Sequence, residues 1–499
     1  MTKLFQEVRF LLYCLLAFLF VIASCTDKEN LSPAETEDLS LQFDSFVFEQ
    51  KNNPQLTADV VFDIQDGQLN GSLKHYFYEA TPTFTTNAQS VSINEVPQIS
   101  GNTEVDFSKK VIYTLTSASG TTRSYTVQIS WDNALVNFNI TTNGRVPVNS
   151  KTEYVAAQIE IDGQQQFDDF VSTGQIRGRG NTTWTFPKKP FKIKLDDEEE
   201  ILGLAAERDW VLLANYLDGT HMMNAVGMKT AQLLGTPFSN TVIPVEVTLN
   251  DDYLGLYMLT EQIEVKKNRV DVGKDGILLN LDTNFDESFQ FASAKYRLPV
   301  TIKFPKEPSR ERVNEIKQTW QDFEDLVAAA DFPNNDYLEH IDANSIANYF
   351  ITYMLTGNEE INHPKSTYLF KTEDGKFHLG PVWDFDWGFA YEGSLQHFSS
   401  FDRPLFWTPP RIGTTFFSRF LEDPEIRRLI KENWATFEAN DLLELLRYID
   451  DYAFIIRAAR ARDWKEWQRG NGNFDVEVVS LKNWISNRGR WMQREISAL

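Results

Sequence analysis

Gly380-Pro381-Val382-Trp383-Asp384-Phe385-Asp386-Trp387-Gly388-Phe389 carries two closely spaced carboxylates in a stretch that is otherwise aromatic, apolar and bounded by glycine. That composition predicts burial, and a buried charge is costly unless it is paired or coordinates a metal. Asp384 and Asp386 are therefore expected to face a cation, and two carboxylates suit a hard, oxygen-seeking divalent ion. Far upstream stands Arg177-Gly178-Arg179-Gly180-Asn181, followed by Phe191-Lys192-Ile193-Lys194. Successive N–H groups in a glycine-containing turn can cradle anionic oxygens, and Arg177 and Arg179 would add forked donors. On a strand, Lys192 and Lys194 share one face, so either can meet a phosphate. A basic turn, a strand lysine and a late acidic pair are the parts of a nucleotide-phosphate site.

Between and around these segments the periodicity changes along the chain. From about 42 to 132 it is two: Leu56, Ala58, Val60, Phe62 and Ile64 alternate, as do Val111, Tyr113 and Leu115, then Tyr125, Val127 and Ile129. Ser119-Gly120 between the last two runs predicts a hairpin. Residues 42–132 are expected to be a small all-β sandwich of immunoglobulin-like type, acting as a spacer. Strand-like runs near 154–161, 190–195, 242–249, 254–260 and 277–281 follow, with a helix over about 220–234 ended by Gly235. After 335 helical spacing dominates, as in Ile426, Leu429, Ile430, Trp434 and Phe437 behind Asp423-Pro424, and in Leu481, Trp484, Ile485, Met492 and Ile496. Strands first and helices later predict a two-lobed α+β domain over 133–499.

The N-terminus reads differently. Lys3 and Arg9 precede an apolar run from Phe10 to Ile22, and Ile22-Ala23-Ser24-Cys25 ends on small residues before a cysteine. Residues 1–25 are expected to be a secretory signal, with Cys25 placed as in a bacterial lipobox. Lipidated Cys25 would tether the exported chain to a membrane, on the periplasmic or the surface side, through a flexible stretch over 26–41. The only cysteines are Cys14 and Cys25, which excludes disulfides, thiolate-bound zinc and a cysteine nucleophile in the mature body. Asp and Glu outnumber Lys and Arg by 71 to 48, a formal charge of −23, so nucleic acid is not an expected partner. The histidines are scattered, and no His-Glu-x-x-His, Gly-x-Ser-x-Gly or Walker-type loop occurs.

Five motifs together resemble the CotH kinase family, the spore-coat protein H-like group of atypical secreted kinases. They are Arg177-Gly-Arg-Gly-Asn-Thr-Thr-Trp184, Lys188-Lys-Pro-Phe-Lys-Ile-Lys194, Asp209-Trp-Val-Leu-Leu-Ala-Asn-Tyr216, Gly255-Leu-Tyr-Met-Leu-Thr-Glu261 and Pro381-Val-Trp-Asp-Phe-Asp-Trp-Gly388. The resemblance covers about 150–499. It implies a divergent protein-kinase-like fold, ATP with Mg²⁺ or a similar divalent ion, and phosphate transfer to protein serine or threonine.

Within that resemblance Lys194 matches the strand lysine better than Lys192, and Asp386-Trp387-Gly388 has the spacing of a kinase metal motif. Glu261 has two candidate roles, as carboxylate partner of the lysine or as a residue of the hinge between lobes; a surface pair with Lys266 or Lys267 is the plainer alternative. The helix over 220–234, where a kinase keeps the lysine's glutamate, carries no acid. Gly357-Asn358-Glu359-Glu360-Ile361-Asn362-His363-Pro364-Lys365-Ser366 stands where a catalytic loop is expected, with Glu359 or Glu360 to orient the acceptor hydroxyl. Relatives carry Asn-x-Asp there and an asparagine at the position of Ser366. A non-catalytic surface scaffold or adhesin, binding protein or glycan, is the competing expectation.

Overall fold

The computed structural model describes residues 38–499 apart from 55, 57, 75–78, 108, 133, 165, 285–287, 374, 394 and 395. The expected signal segment, Cys25, His75 and the stretch 26–37 lie outside the described residues. The chain divides into two compact units, Met1–Asp132 and Asn133–Leu499.

In the first unit β1 (Phe43–Phe48) lies between β2 (Val60–Val61) and β6 (Thr83–Thr86). A six-stranded sheet runs β3 (Asp63–Gln65), β4 (Gln68–Lys74), β11 (Thr122–Asp132), β10 (Ile112–Thr116), β7 (Ser90–Ile93) and β8 (Val96–Pro97), while β5 (Glu79–Ala80) pairs with β9 (Val105–Asp106). The period-two pattern turns Tyr113, Leu115, Tyr125 and Val127 inward. Phe43 meets the rings of Phe84, Tyr113 and Tyr125 edge-on at 5.5, 5.9 and 5.2 Å, a favoured aromatic geometry. The expected hairpin is present, with Thr116 opposite Thr122. The alternation from Leu56 to Ile64 is not one strand: β2 pairs with β1 and β3 with β4, so the chain changes sheets at buried Phe62. Leu41 joins this core, and the Asp38 amide donates to Thr122 O at 2.8 Å. The expected tether over 26–41 therefore gives way to packed structure by Asp38.

The second unit opens with a closed barrel in the order β12 (Val136–Thr142), β13 (Val155–Asp162), β14 (Phe170–Gly178), β15 (Phe191–Ile201), β16 (Leu204–Leu213), β18 (Asp252–Glu261) and β17 (Val242–Leu249). Alternate residues such as Phe138, Ile140, Ile159, Ile176, Ile193, Trp210 and Val247 fill it, each contributing roughly 1.5–3 kcal/mol on burial. The strands expected near 154–161, 190–195, 242–249 and 254–260 fall on β13, β15, β17 and β18. Closure depends on a parallel pairing of β12 with β17, Val136 opposite Val245. A five-stranded sheet follows in the order β20 (Gln290–Ala292), β21 (Pro299–Phe304), β19 (Ile277–Leu281), β22 (Thr367–Lys371) and β23 (Phe377–Leu379).

The described residues of this unit also form seven α-helices: α1 (Met223–Leu233), α2 (Arg310–Ala328), α3 (Ala343–Thr356), α4 (Ile412–Phe417), α5 (Pro424–Asn440), α6 (Leu442–Trp467) and α7 (Phe474–Ala498). The expected helix over 220–234 begins at Met223 because the Asp218 carboxylate accepts its amide at 2.8 Å. Asp423 caps α5 by accepting from Glu425 N at 2.7 Å, ahead of a proline in the first turn, as the sequence signature requires. Gly357, at φ 56°, ends α3 in the left-handed region. No helix among the described residues is long and apolar enough to cross a membrane.

Candidate functional site

At one end of the barrel β14 runs into the turn from Arg179 to Pro190, which leads back into β15. This turn, the residues following β16, residues of β19, β21 and β22, and the segments around Glu360 and Asp384 enclose a cleft of about 440 Å³. Arg179 lies in it, its guanidinium 5.3 Å over the Trp383 ring. Burial lowers the Arg179 pKa while Asp384 and Asp386 pull it back up. The basic turn and the acidic pair thus meet in one cleft.

Both aspartates are crowded. Burial, then the charge of Asp384, pushes the Asp386 carboxyl up to about 7, and Asp384 is raised by burial against the pull of Arg179. Asp384 has φ 64°, a conformation that costs a non-glycine residue on the order of 1 kcal/mol or more and clusters at functional sites. Its carbonyl accepts from Asn358 Nδ2 at 2.8 Å. The Asp386 carboxylate accepts from Asn224 Nδ2 at 3.0 Å.

Glu360 lines the same cleft, only 4% exposed. Its Oε2 has no hydrogen-bond partner among the described residues, and burial followed by Asp384 drives its pKa well upward. Its place is set by the next turn, where Asn362 Nδ2 donates to Glu359 O at 3.0 Å and Leu405 O at 2.8 Å. Asn362 Oδ1 accepts from Trp407 N at 3.0 Å and Thr414 Oγ1 at 2.7 Å. Glu359 points elsewhere, into a small space beside Arg403 and Arg488, and burial raises its pKa despite Arg403.

The other expected residues separate. Lys192 lines the cleft and pairs with Asp209 at 2.7 Å. Asp209 stays below its usual range because Lys192 outweighs the effect of burial. Lys194, two residues farther from the rim, does not reach the cleft among its described lining residues. Arg177 borders the cleft, but its guanidinium donates to Lys151 O and Gly178 O and covers the Tyr154 ring. Two N–H groups of the glycine turn are also engaged, Gly178 by Ser150 O at 2.8 Å and Arg179 by Pro190 O at 3.2 Å. A cradle built from every amide of that turn is therefore ruled out. Gly180, at φ 79°, and Asn181 remain on the rim, with Asn181 Oδ1 accepting from Lys151 Nζ at 2.9 Å. Glu261 stands apart from the cleft: it accepts from Thr241 N at 2.8 Å, and Lys266 pairs instead with Glu198 at 2.8 Å and Glu207 at 3.2 Å.

Three cleft residues carried no signal of their own in the sequence. Lys365 reaches in from the expected catalytic segment, its ammonium 5.0 Å over the Trp387 ring, and its charge acts on Glu360 and Asp384. Asp282, just past β19, lies close enough to raise both those carboxyls. Asn224 comes from α1. A lone polar residue in a helical or strand pattern looks like surface until its neighbours are known.

No cluster of three or more histidine, cysteine or acidic side chains among the described residues is arranged to hold a metal by itself. A magnesium-like ion needs only one or two carboxylates when phosphate and water complete its shell. Two buried aspartates with raised pKa, facing Arg179 and, at Asp384, Lys365, fit an ion carried in on a polyphosphate. No curated protein matches the chain. The family described as CotH kinase protein matches residues 176–492, which takes in Arg179, Lys192, Glu360, Asp384 and Asp386. With more than half of its length and the heart of its cleft inside that match, the chain belongs to the CotH kinase protein family.

Proposed function

We propose that the protein is an exported, lipid-anchored atypical kinase that transfers phosphate from ATP to serine or threonine hydroxyls of another protein. The observation that carries this reading is the meeting of Arg179 with Asp384 and Asp386 inside one cleft. Membership of the family suggests nucleotide-dependent phosphotransfer, and the chemistry asks mainly for positioning and charge neutralisation. In this reading the barrel acts as one lobe and the five-stranded sheet with its helices as the other.

Asp384 and Asp386 would hold Mg²⁺ or another divalent ion, which when bound neutralises charge on the phosphates. Arg179, Lys192 and Lys365 would bind the phosphate oxygens. Glu360 would take the proton of the acceptor hydroxyl as its oxygen bonds to the γ-phosphorus and the bond to the ADP oxygen breaks. Burial and then Asp384 raise its pKa, and a cation held on Asp384 would remove the second of these causes and favour the carboxylate. The test uses the purified protein with ATP and Mg²⁺. The expected result is a thermal shift with ATP, autophosphorylation with labelled ATP, and loss of both in Asp386→Ala. A thermal shift without any transfer would favour the non-catalytic reading, for which glutamate at 360 and serine at 366 already speak; no shift at all defeats nucleotide binding.

The anchor is a separate part of the proposal, supported by the basic, apolar and small-residue order of residues 1–25. Cells expressing the protein should incorporate labelled fatty acid at Cys25. Equal labelling in Cys25→Ala would remove the anchor from the account.

A further inference from the structure

α1 touches the acidic segment with two residues on one face. Asn224, 4% exposed, donates from Nδ2 to Asp386 Oδ1 at 3.0 Å and to Asn215 Oδ1 at 3.1 Å, and its Oδ1 accepts from Phe385 N at 3.0 Å. One amide thus grips the carboxylate, the backbone beside it and the loop that leaves β16. One turn on, Gly227 faces the Phe385 ring, and a Cβ there would fall 2.5 Å from three of its carbons. Glycine inside a helix costs about 1 kcal/mol relative to alanine, so its presence marks a close approach of α1 to this segment. Meanwhile Lys192 takes its carboxylate from Asp209 on the neighbouring strand, and α1 carries no acid. The helix is linked to the aspartate and not to the lysine.

We propose that Asn224 is the positioning residue of the Asp386 carboxylate, so that the seating of α1 sets the direction in which this carboxylate meets a divalent ion. This rests on the reading of Asp386 as a metal ligand. Hydrogen bonds behind a ligand orient it, and losing one typically weakens metal affinity by about 10–100-fold. A helix that moved would then change the metal site while leaving the lysine–carboxylate pair intact.

The test measures Mn²⁺ affinity by electron paramagnetic resonance on the full chain with saturating ADP, alongside the affinity for ADP without metal. Asn224→Leu, close in volume, and Asn224→Ser, too short to span both partners, should each weaken Mn²⁺ about tenfold or more and leave metal-free ADP affinity within about twofold. Thr230→Val is the control. It removes a hydrogen bond to Val226 O within the same helix and should keep Mn²⁺ affinity at a comparable fall in Tm. Unchanged Mn²⁺ affinity in both Asn224 variants, or an equal loss in Thr230→Val, overturns the proposal. Unchanged affinity in Asp386→Asn would instead remove the metal-ligand reading on which it rests, so the two failures are told apart.

Discussion

Asp386→Asn should make the metal-free protein more stable while removing the phosphate transfer proposed for it. The carboxyl is raised to about 7 by burial and by Asp384, against about 3.9 in an unfolded chain. Between those values the folded state binds the extra proton, so stability falls as pH rises from about 4 to about 7. Below that window the group contributes nothing; above it the whole penalty is present. The neutral amide keeps an oxygen for Asn224 Nδ2 and carries no charge to bury, which should add a few kcal/mol at pH 8, on the order of one to three times 1.4 kcal/mol. Denaturant melts of parent and variant at pH 4.5 and pH 8 measure this directly. Near-coincident stabilities at pH 4.5 that separate at pH 8 are expected. If the proposed reading of Asp386 as a metal ligand holds, the same variant should lose phosphate transfer by at least the roughly 10–100-fold that loss of a hydrogen bond behind a ligand costs, along with the Mg²⁺-dependent part of its thermal shift. A variant less stable than the parent at pH 8 would contradict the account of a crowded, uncompensated carboxylate.

Asp463→Asn should have the largest cost to stability. Asp463 on α6 is buried against the barrel, where Oδ1 accepts from Lys188 Nζ at 2.5 Å and from Leu256 N at 2.9 Å. Its Oδ2 lies 3.1 Å from His221 Nε2. The side chains of Asp463 and Lys188 are 2% and 1% exposed. Lys188, then His221, holds the Asp463 carboxyl far below its usual range even though burial opposes this. A folded pKa below the unfolded one means the stabilisation is present above about pH 4 and is lost only as pH falls below it. Removing one partner of a buried pair leaves an uncompensated charge and costs about 3–5 kcal/mol. Because Asp463 also receives a strand amide of β18, the substitution should loosen α6 from the barrel. Urea melts at pH 7 are the measurement. The exposed pair Lys482–Asp450, at 2.5 Å, is the comparison, since removing a surface pair changes stability by about 1 kcal/mol or less. The double variant Lys188→Met/Asp463→Leu should recover the part of the loss that comes from unpaired charge, because apolar replacements of a buried pair are often neutral, while Leu256 N stays without its acceptor. Equal costs at the buried and exposed pairs would show that the clasp of α6 does not depend on charge.

Several features of the fold and the cleft are legible in the sequence alone. The stretch from Gly380 to Phe389 announces itself because its composition asks for burial while its two aspartates resist it. Strands β13 and β15 follow from alternation, since their inward residues are apolar and their outward ones mostly polar, whereas β18 is a continuous apolar run buried on both faces, with Tyr257 and Leu259 in the barrel and Leu256 and Met258 in the core outside it. Helix α5 follows from Asp423-Pro424 and the spacing of Ile426, Ile430, Trp434 and Phe437. The short connections of the first unit were harder: Phe62 continues the alternation of Leu56 to Ile64 but belongs to the passage between two sheets.

The chain by itself settles which residue types must be buried together: aspartates among aromatics late, arginines and lysines in a glycine turn early, and helical or strand periodicity between them. Those are local properties, fixed by the cost of burying charge and by the pitch of each element. What the tertiary structure decided is selection among near neighbours. Lys192 and Lys194 share a strand face, and only the rim of the barrel puts the first in the cleft. Glu359 and Glu360 are adjacent, and the hydrogen bonds of Asn362 to a segment some forty residues away turn the second inward. Asn224 and Asp463 acquire their roles from partners in distant elements, as β12 acquires its place beside β17. A one-dimensional pattern records what each residue prefers, whereas distance between residues remote in sequence exists only after the chain has closed on itself.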